Sequence, residues 1–383
     1  MCVFQNDVNE TVSLCAKMAN SVHKYPLMKT LESILNNGDA LKHPRENKSG
    51  KPYYDFICLS FEQIRLNITN FRERVKQTLL ITPMATKYVE YEQFTQYMLD
   101  SCNSIQDVLN EIFVTGNEEQ GYLKLKAFLD SHKSDVDVLN SFPQMPGDDS
   151  IKYLYRFASK SWSQKDRKSL FHPPFEVNKN CHLNYRYSGE EFPSLYLGCS
   201  LEVCLAEMNS TNKDDFYAAQ FRLRNEETVR VLNLGYRWEE MSPFCYSDAS
   251  DKPKLDFFKS WFSLFPLMLA SSIVKKSETK DEYVLPQFLM RYIKESTNLD
   301  GIRYYSTKRC YIDAWTKKSL NFAFPAKIDK KEGYDDILAK KFELTEPVDL
   351  ACYADFNEVR SALCEQSYGV VEPIGSANVF LQK

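Results

Sequence analysis

Several common sequence signals are missing from this chain, and each absence narrows what it can be. Its 11 cysteines include no C-x-x-C pair and are odd in number, which argues against a disulfide framework or zinc knuckle and for reduced core thiols. The 5 histidines (His23, His43, His132, His172 and His182) never fall at the i, i+4 spacing of a helical metal site, so no metal is expected. No run approaches about 18 apolar residues, and the opening MCVFQNDVNETVSLCAKMAN lacks a basic region followed by an apolar core. The reading is a soluble, cytoplasmic chain without membrane association. Lys+Arg 48 against Asp+Glu 52 leaves a net charge of −4, too little for a whole-chain attraction to nucleic acid. Direct nucleic-acid binding is therefore not expected, and any anionic ligand must be held by a local cluster. No G-x-G-x-x-G or G-x-x-x-x-G-K-[ST] loop occurs, and no regular βαβ rhythm, which sets aside a nucleotide-binding doubly wound sheet.

What is present is enough apolar material for a sizeable core. With 383 residues, 43% hydrophobic and 14% aromatic, about two or three domains are expected. Residues 1–145 read as a helical N-terminal domain. Phe61, Ile64, Ile68, Phe71, Val75 and Leu79 follow the three-and-four rhythm of one buried helical face. Similar patterns run through Phe94, Tyr97 and Met98, through Ile105, Val108, Leu109, Ile112 and Phe113, and through Tyr122, Leu125 and Phe128. The polar segment Asp39 to Phe56, with Pro44, Gly50 and Pro52, reads as an exposed loop in that domain.

Two prolines and a glycine in SFPQMPGDDS (Ser141 to Ser150) stop helix and strand alike and mark the boundary. Residues 150–383 form the second domain, where short strands alternate with short helices. IKYLYRFA (Ile151 to Ala158), SLYL (Ser194 to Leu197), TVRVLNL (Thr228 to Leu234) and GIRYYS (Gly301 to Ser306) read as strands. Helices are expected at Leu201 to Met208, around Leu255 to Ile273, and from Leu285 to Ser296. The mixture argues for an α+β fold. The aromatic run Phe257 to Met268 reads as core.

One stretch concentrates chemistry: NCHLNYRYSGEEFPSLYLGCSLEVCLAEM, from Asn180 to Met208. It offers an arginine on a loop (Arg186), a tyrosine on a strand (Tyr196) and a glutamate on a helix (Glu207). Glu207 lies about 100° from the centre of the stripe Leu201, Cys204, Leu205 and Met208, at the edge of the buried face, where a cleft would partly desolvate it. Arginine's planar fork suits phosphate oxygens, a tyrosine ring can stack on nicotinamide or adenine, and a carboxylate can stabilise an oxocarbenium-like ribose. Together they suit cleavage of nicotinamide from NAD, a glycosidic bond.

The same residues carry a family resemblance. RYSGEEFPSLYLGCSLEVCLAEM resembles the RES-domain family, where an arginine near a G-x-P-V-x-Y-x-A run precedes an A-x-x-E helix. QFLMRYIKESTNLDGIRYYSTK (Gln287 to Lys308) is similar to that family's second signature, a helix followed by D-G-I-x-Y-x-S. LYRFAS around Arg156, HPPF at His172 to Phe175 and LNFAFP with Asn321 also resemble it. The family's G-R-[WF]-N is Tyr185-Arg186-Tyr187-Ser188 here, and Gly198-Cys199 stand where alanine and a polar residue are common.

The resemblance implies an ADP-ribosyltransferase-like fold for the second domain and an NAD-consuming toxin of a bacterial toxin–antitoxin pair, with an antitoxin or immunity protein as partner. It implies Glu207 as the catalytic carboxylate, Arg186 on the phosphates or ribose, Tyr196 on the nicotinamide side, Ser306 on the ribose, and Arg156 and Asn321 as further cofactor-binding residues. NAD is the substrate, cleaved by hydrolysis or phosphorolysis. Transfer of ADP-ribose to a protein or nucleic-acid target is the alternative, and a catalytically inactive NAD-binding module is a second.

Overall fold

A computed structural model describes residues 45–79, 85–141, 153–161, 163–181, 185–189, 192–224, 228–236, 252–274, 280–296, 298–308 and 319–372. Most of the boundary segment Ser141 to Ser150 lies outside these. Phe61, Ile64 and Ile68 share one buried face of α1 (Tyr53–Leu79). The next two apolar patterns sit on a single helix, α2 (Ala85–Phe113), because neither proline nor glycine falls between Met98 and Ile105 to end it. α3 (Glu118–Ser131) begins behind Asn117, whose side chain accepts from the N–H of Gln120, and α4 (Lys133–Ser141) follows.

The chain divides into two compact units. One comprises residues 1–43, 47–142 and 236–270, the other residues 44–46, 143–235 and 271–383. The helical unit thus takes in residues 236–270, which the sequence groups with the second domain. The aromatic run lies on α7 (Lys252–Ser271), where Trp261, Phe262 and Phe265 are buried. Phe94 of α2 meets Phe262 at 6.3 Å between ring centroids. Ser260 donates to Asp135 of α4 at 2.8 Å, and the Tyr236 hydroxyl donates to the Leu139 carbonyl at 3.1 Å. A helix apolar on most sides is stable only when surrounded.

The second unit is built on a mixed sheet, and with its helices it is α+β. β2 (Leu154–Ser159), β3 (Ser194–Gly198), β4 (Phe216–Leu223), β5 (Val231–Asn233), β7 (Gly301–Tyr305), β8 (Leu320–Pro325), β9 (Phe342–Thr345) and β11 (Tyr368–Gly369) run in the order β11-β9-β4-β2-β3-β8-β7-β5, with β10 (Val348–Asp349) also on β4. Every pairing is antiparallel except β5 with β7. Separately, β1 (Arg45–Glu46) pairs in parallel with β6 (Ile273–Val274), within the segment read as exposed loop.

Strand alternation sends side chains to two cores. Leu154, Leu195, Leu197, Phe221, Phe322 and Phe324 fill one. Tyr155, Phe157 and Ala218 fill the other with Leu201 and Cys204 of α6 (Leu201–Glu207) and with Val359 and Leu363 of α10 (Phe356–Glu365). α5 (Phe175–Asn180), α8 (Asp281–Glu295) and α9 (Asp336–Lys341) complete the described helices.

Candidate functional site

α6 places Glu207. Ser200 caps the helix, its Oγ accepting from the Val203 N–H at 3.1 Å. Asn209, with φ 52°, ends it in the left-handed region that asparagine tolerates. The helix seats closely on β3 at Gly198, where an added Cβ would stand 2.6 Å from Val203 Cγ1 and 2.7 Å from Cys204 Sγ. Because α6 stops at this point, nothing from its own next turn covers Glu207. The carboxylate is exposed, which corrects the expectation of a partly desolvated group.

Three of the expected residues meet directly. Ser306 Oγ donates to Glu207 Oε1 at 2.6 Å, and Asn321 Nδ2 donates to the same oxygen at 2.7 Å. Both donors are buried, so they meet the exposed carboxylate from below. Ser306 is itself fixed: its N–H donates to the Ser319 carbonyl at 2.8 Å, and its Oγ accepts from the Lys308 N–H at 3.1 Å. Glu207 Oε2 has no hydrogen-bond partner among the described residues.

Arg186 and Tyr196 belong to an adjoining, separately braced group. The Arg186 Nη atoms donate to the carbonyls of Ser271 (3.2 Å) and Ile273 (2.8 Å), and its guanidinium lies 4.9 Å from the Tyr283 ring centroid. Two of five N–H donors are thus spent on backbone. The Tyr196 hydroxyl accepts from the Tyr187 N–H at 3.0 Å and donates to Ser188 Oγ at 3.2 Å. Ser188 therefore braces the arginine loop at the position where the family pattern has asparagine. Burial raises the Tyr196 pKa, with smaller opposing effects from those hydrogen bonds, so the phenol stays neutral.

Three tyrosines that the sequence reading assigned no site role, one of them (Tyr304) the tyrosine of the D-G-I-x-Y-x-S signature, connect the two groups. The rings of Tyr187 and Tyr304 lie 4.1 Å apart between centroids. Burial pushes up the pKa of Tyr187, Tyr283 and Tyr304; Arg186 opposes the shift in all three and Glu207 adds to it. Both charges therefore act on one aromatic patch. Tyr304 had an available signal, since it lies two residues before Ser306 on the same strand face; Tyr187 adjoins Arg186, and Tyr283 had none.

Arg156 is placed differently. By alternation it is in register with Leu154 and Ala158, which join the opposite core, and its Nη1 donates to the Tyr196 carbonyl at 3.0 Å. It makes no hydrogen bond to Glu207, Ser306 or Asn321. Its Nε is buried without a partner among the described residues, and burial lowers its pKa. Among the described residues no group of three or more His, Cys, Asp or Glu is arranged to hold a metal, and no helix is long and apolar enough to cross a membrane.

No family model matches this chain, and no solved structure matches it. Over 212 residues it is 31% identical to the Bacillus subtilis (strain 168) protein named "Putative toxin YopC", an alignment covering 52% of this chain and 47% of the other. The chain spans about half the length of that curated relative, and the likeness is to a protein named as a toxin.

Proposed function

We propose that this chain is an NAD-consuming toxin that cleaves the nicotinamide–ribose bond, with an ADP-ribosyltransferase-like second unit. The observation that carries the reading is the Glu207 carboxylate, held at Oε1 by Ser306 and Asn321 with Oε2 left to a ligand. A carboxylate fixed in this way needs little reorganisation to stabilise positive charge developing on a ribosyl ring. The bond from ribose C1′ to the nicotinamide nitrogen breaks, and its electron pair leaves with the nitrogen, which becomes neutral. Water or phosphate then donates an electron pair to C1′, and water's proton passes to solvent. Arg186 keeps three N–H donors for phosphate or ribose oxygens, whereas Arg156, on the opposite core with its Nε fully buried, is left outside this reading. The exposure of Glu207 also favours a second reading, in which a macromolecular side chain takes the place of water and receives ADP-ribose. A toxin of this kind would be held in check by an antitoxin or immunity protein.

The test is purified protein with NAD labelled in both halves. Free nicotinamide with soluble ADP-ribose marks hydrolysis, an ADP-ribose phosphate marks phosphorolysis, and label on protein or nucleic acid marks transfer. Glu207→Gln is expected to keep the fold and lower turnover about 100-fold or more, and to relieve growth arrest on expression. Full activity in that variant would remove Glu207 from the mechanism, and bound NAD without turnover would leave a binding module.

A further inference from the structure

We propose that Tyr304 is a ligand-binding residue of the Glu207 site, its phenol donating a hydrogen bond to a sugar hydroxyl that in turn donates to Glu207. The inference rests on the NAD-cleaving reading and names the part of the substrate that this corner of the site takes.

Placement comes from the sheet. Tyr304 on β7 is directly opposite Asn321 on β8, and directly paired residues put their side chains on one face, about 5 Å apart at Cβ. Asn321 is one of the two donors to Glu207 Oε1. The other, Ser306, follows Tyr304 by two residues, which alternation places on the same side. The Tyr304 ring is 8% exposed and held against Tyr187.

The hydroxyl stands out beside its neighbours. Tyr187 donates to the Ser271 carbonyl, and Tyr196 is engaged by Ser188 and the Tyr187 N–H. The Tyr304 hydroxyl has no hydrogen-bond partner among the described residues. The hydroxyl is also not among the fully buried partnerless atoms of the described residues, so it faces the open side of the patch, where a ligand oxygen can take the place of water.

The flanking groups select the ligand's chemistry. Burial, and after it the charge of Glu207, push the Tyr304 pKa well above its ordinary value, so the phenol is a donor at neutral pH. The carboxylate beside it can only accept. A group satisfying both must donate and accept at once, which a hydroxyl does through a single oxygen, a carboxamide only through two separate atoms, and a phosphate oxygen not at all. The ribosyl hydroxyls of a nicotinamide dinucleotide fit, and the diphosphate is disfavoured by the negative charge of Glu207.

Tyr304→Phe isolates the hydroxyl while keeping the ring against Tyr187. Wild type and variant are compared for KM of NAD, inhibition constants of ADP-ribose and of nicotinamide, and thermal midpoint. The expected result is about 5- to 10-fold weaker ADP-ribose inhibition with a matching rise in KM, unchanged nicotinamide inhibition and no fall in midpoint. Unchanged ADP-ribose inhibition in an active variant overturns the role of Tyr304 and leaves NAD cleavage standing, as does a loss confined to nicotinamide. A midpoint lowered by several degrees assigns the hydroxyl to folding and also overturns it. If the wild type neither binds nor turns over NAD, the reading it rests on falls, and this proposal with it.

Discussion

His172 shows what burial does to a titratable side chain when both ring nitrogens are occupied. Nε2 accepts from the Asp335 N–H at 2.8 Å, which leaves the ring proton on Nδ1, 2.7 Å from the Pro173 carbonyl. Burial drives the pKa from 6.5 down to about 3, against a smaller upward effect of the Pro173 hydrogen bond. The folded state thus binds fewer protons than the unfolded one between pH 6.5 and 3. The neutral ring's contribution is fully present above pH 6.5 and is lost as pH falls through that window. At pH 5 the loss relative to pH 7.5 is about 2 kcal/mol. Urea denaturation of wild type and His172→Gln at the two pH values checks this: their difference in stability should shrink by about 2 kcal/mol at pH 5, and an unchanged difference would refute the assignment. This role of His172 was not legible beforehand, because HPPF carries no trace of the backbone N–H of a residue so far downstream. Glu207, Ser306 and Asn321 were legible through their motifs. The carbonyls that hold Arg186 were not, since main-chain acceptors leave no signature in side-chain identity.

At the scale of elements, the site depends on how closely α6 lies on β3. Gly198 is opposite Asn321 in the sheet and beneath Val203 and Cys204 of the helix, and a Cβ there would come under 3 Å from both side chains. Cys204 has little room to yield, because its Sγ donates to the Tyr155 carbonyl at 3.2 Å. Gly198→Ala, which restores the residue common in the resembling family, should therefore destabilise the fold by about 1–3 kcal/mol and loosen Glu207 from Ser306 and Asn321. A lower thermal midpoint together with reduced NAD turnover is the expected outcome; a variant with unaltered midpoint would show that the helix shifts freely. The strands at β2, β3 and β7 were readable as short aromatic or apolar runs, each five or six residues long. β9 to β11 span only two to four residues, too short for a period to declare itself. They are held by sheet pairing rather than by their own pattern, while Asp335 and Asp355 cap the neighbouring helices α9 and α10.

At the scale of the whole molecule, the SFPQMPGDDS segment suggests a cut near residue 150, yet the helical unit also contains residues 236–270. Proline and glycine mark where regular structure stops; they carry no information about which distant helix will cover an apolar face. α7 illustrates the consequence. Its Phe262 meets Phe94 of α2, its Ser260 meets Asp135 of α4, and its Lys259 lies 4.7 Å from the Tyr97 ring. A fragment of residues 150–383 retains α7 but lacks every one of those partners. Burying each large aromatic side chain is worth roughly 1.5–3 kcal/mol, so an α7 stripped of α2 and α4 forfeits several such contributions and presents a contiguous apolar surface. The fragment is expected to be largely insoluble, or soluble with strong binding of a hydrophobic dye and no cooperative melt, whereas the full chain melts cooperatively and binds little dye. A soluble fragment with a sharp transition would show that α7 finds other cover, and the two units would then be separable at the proline-rich segment after all.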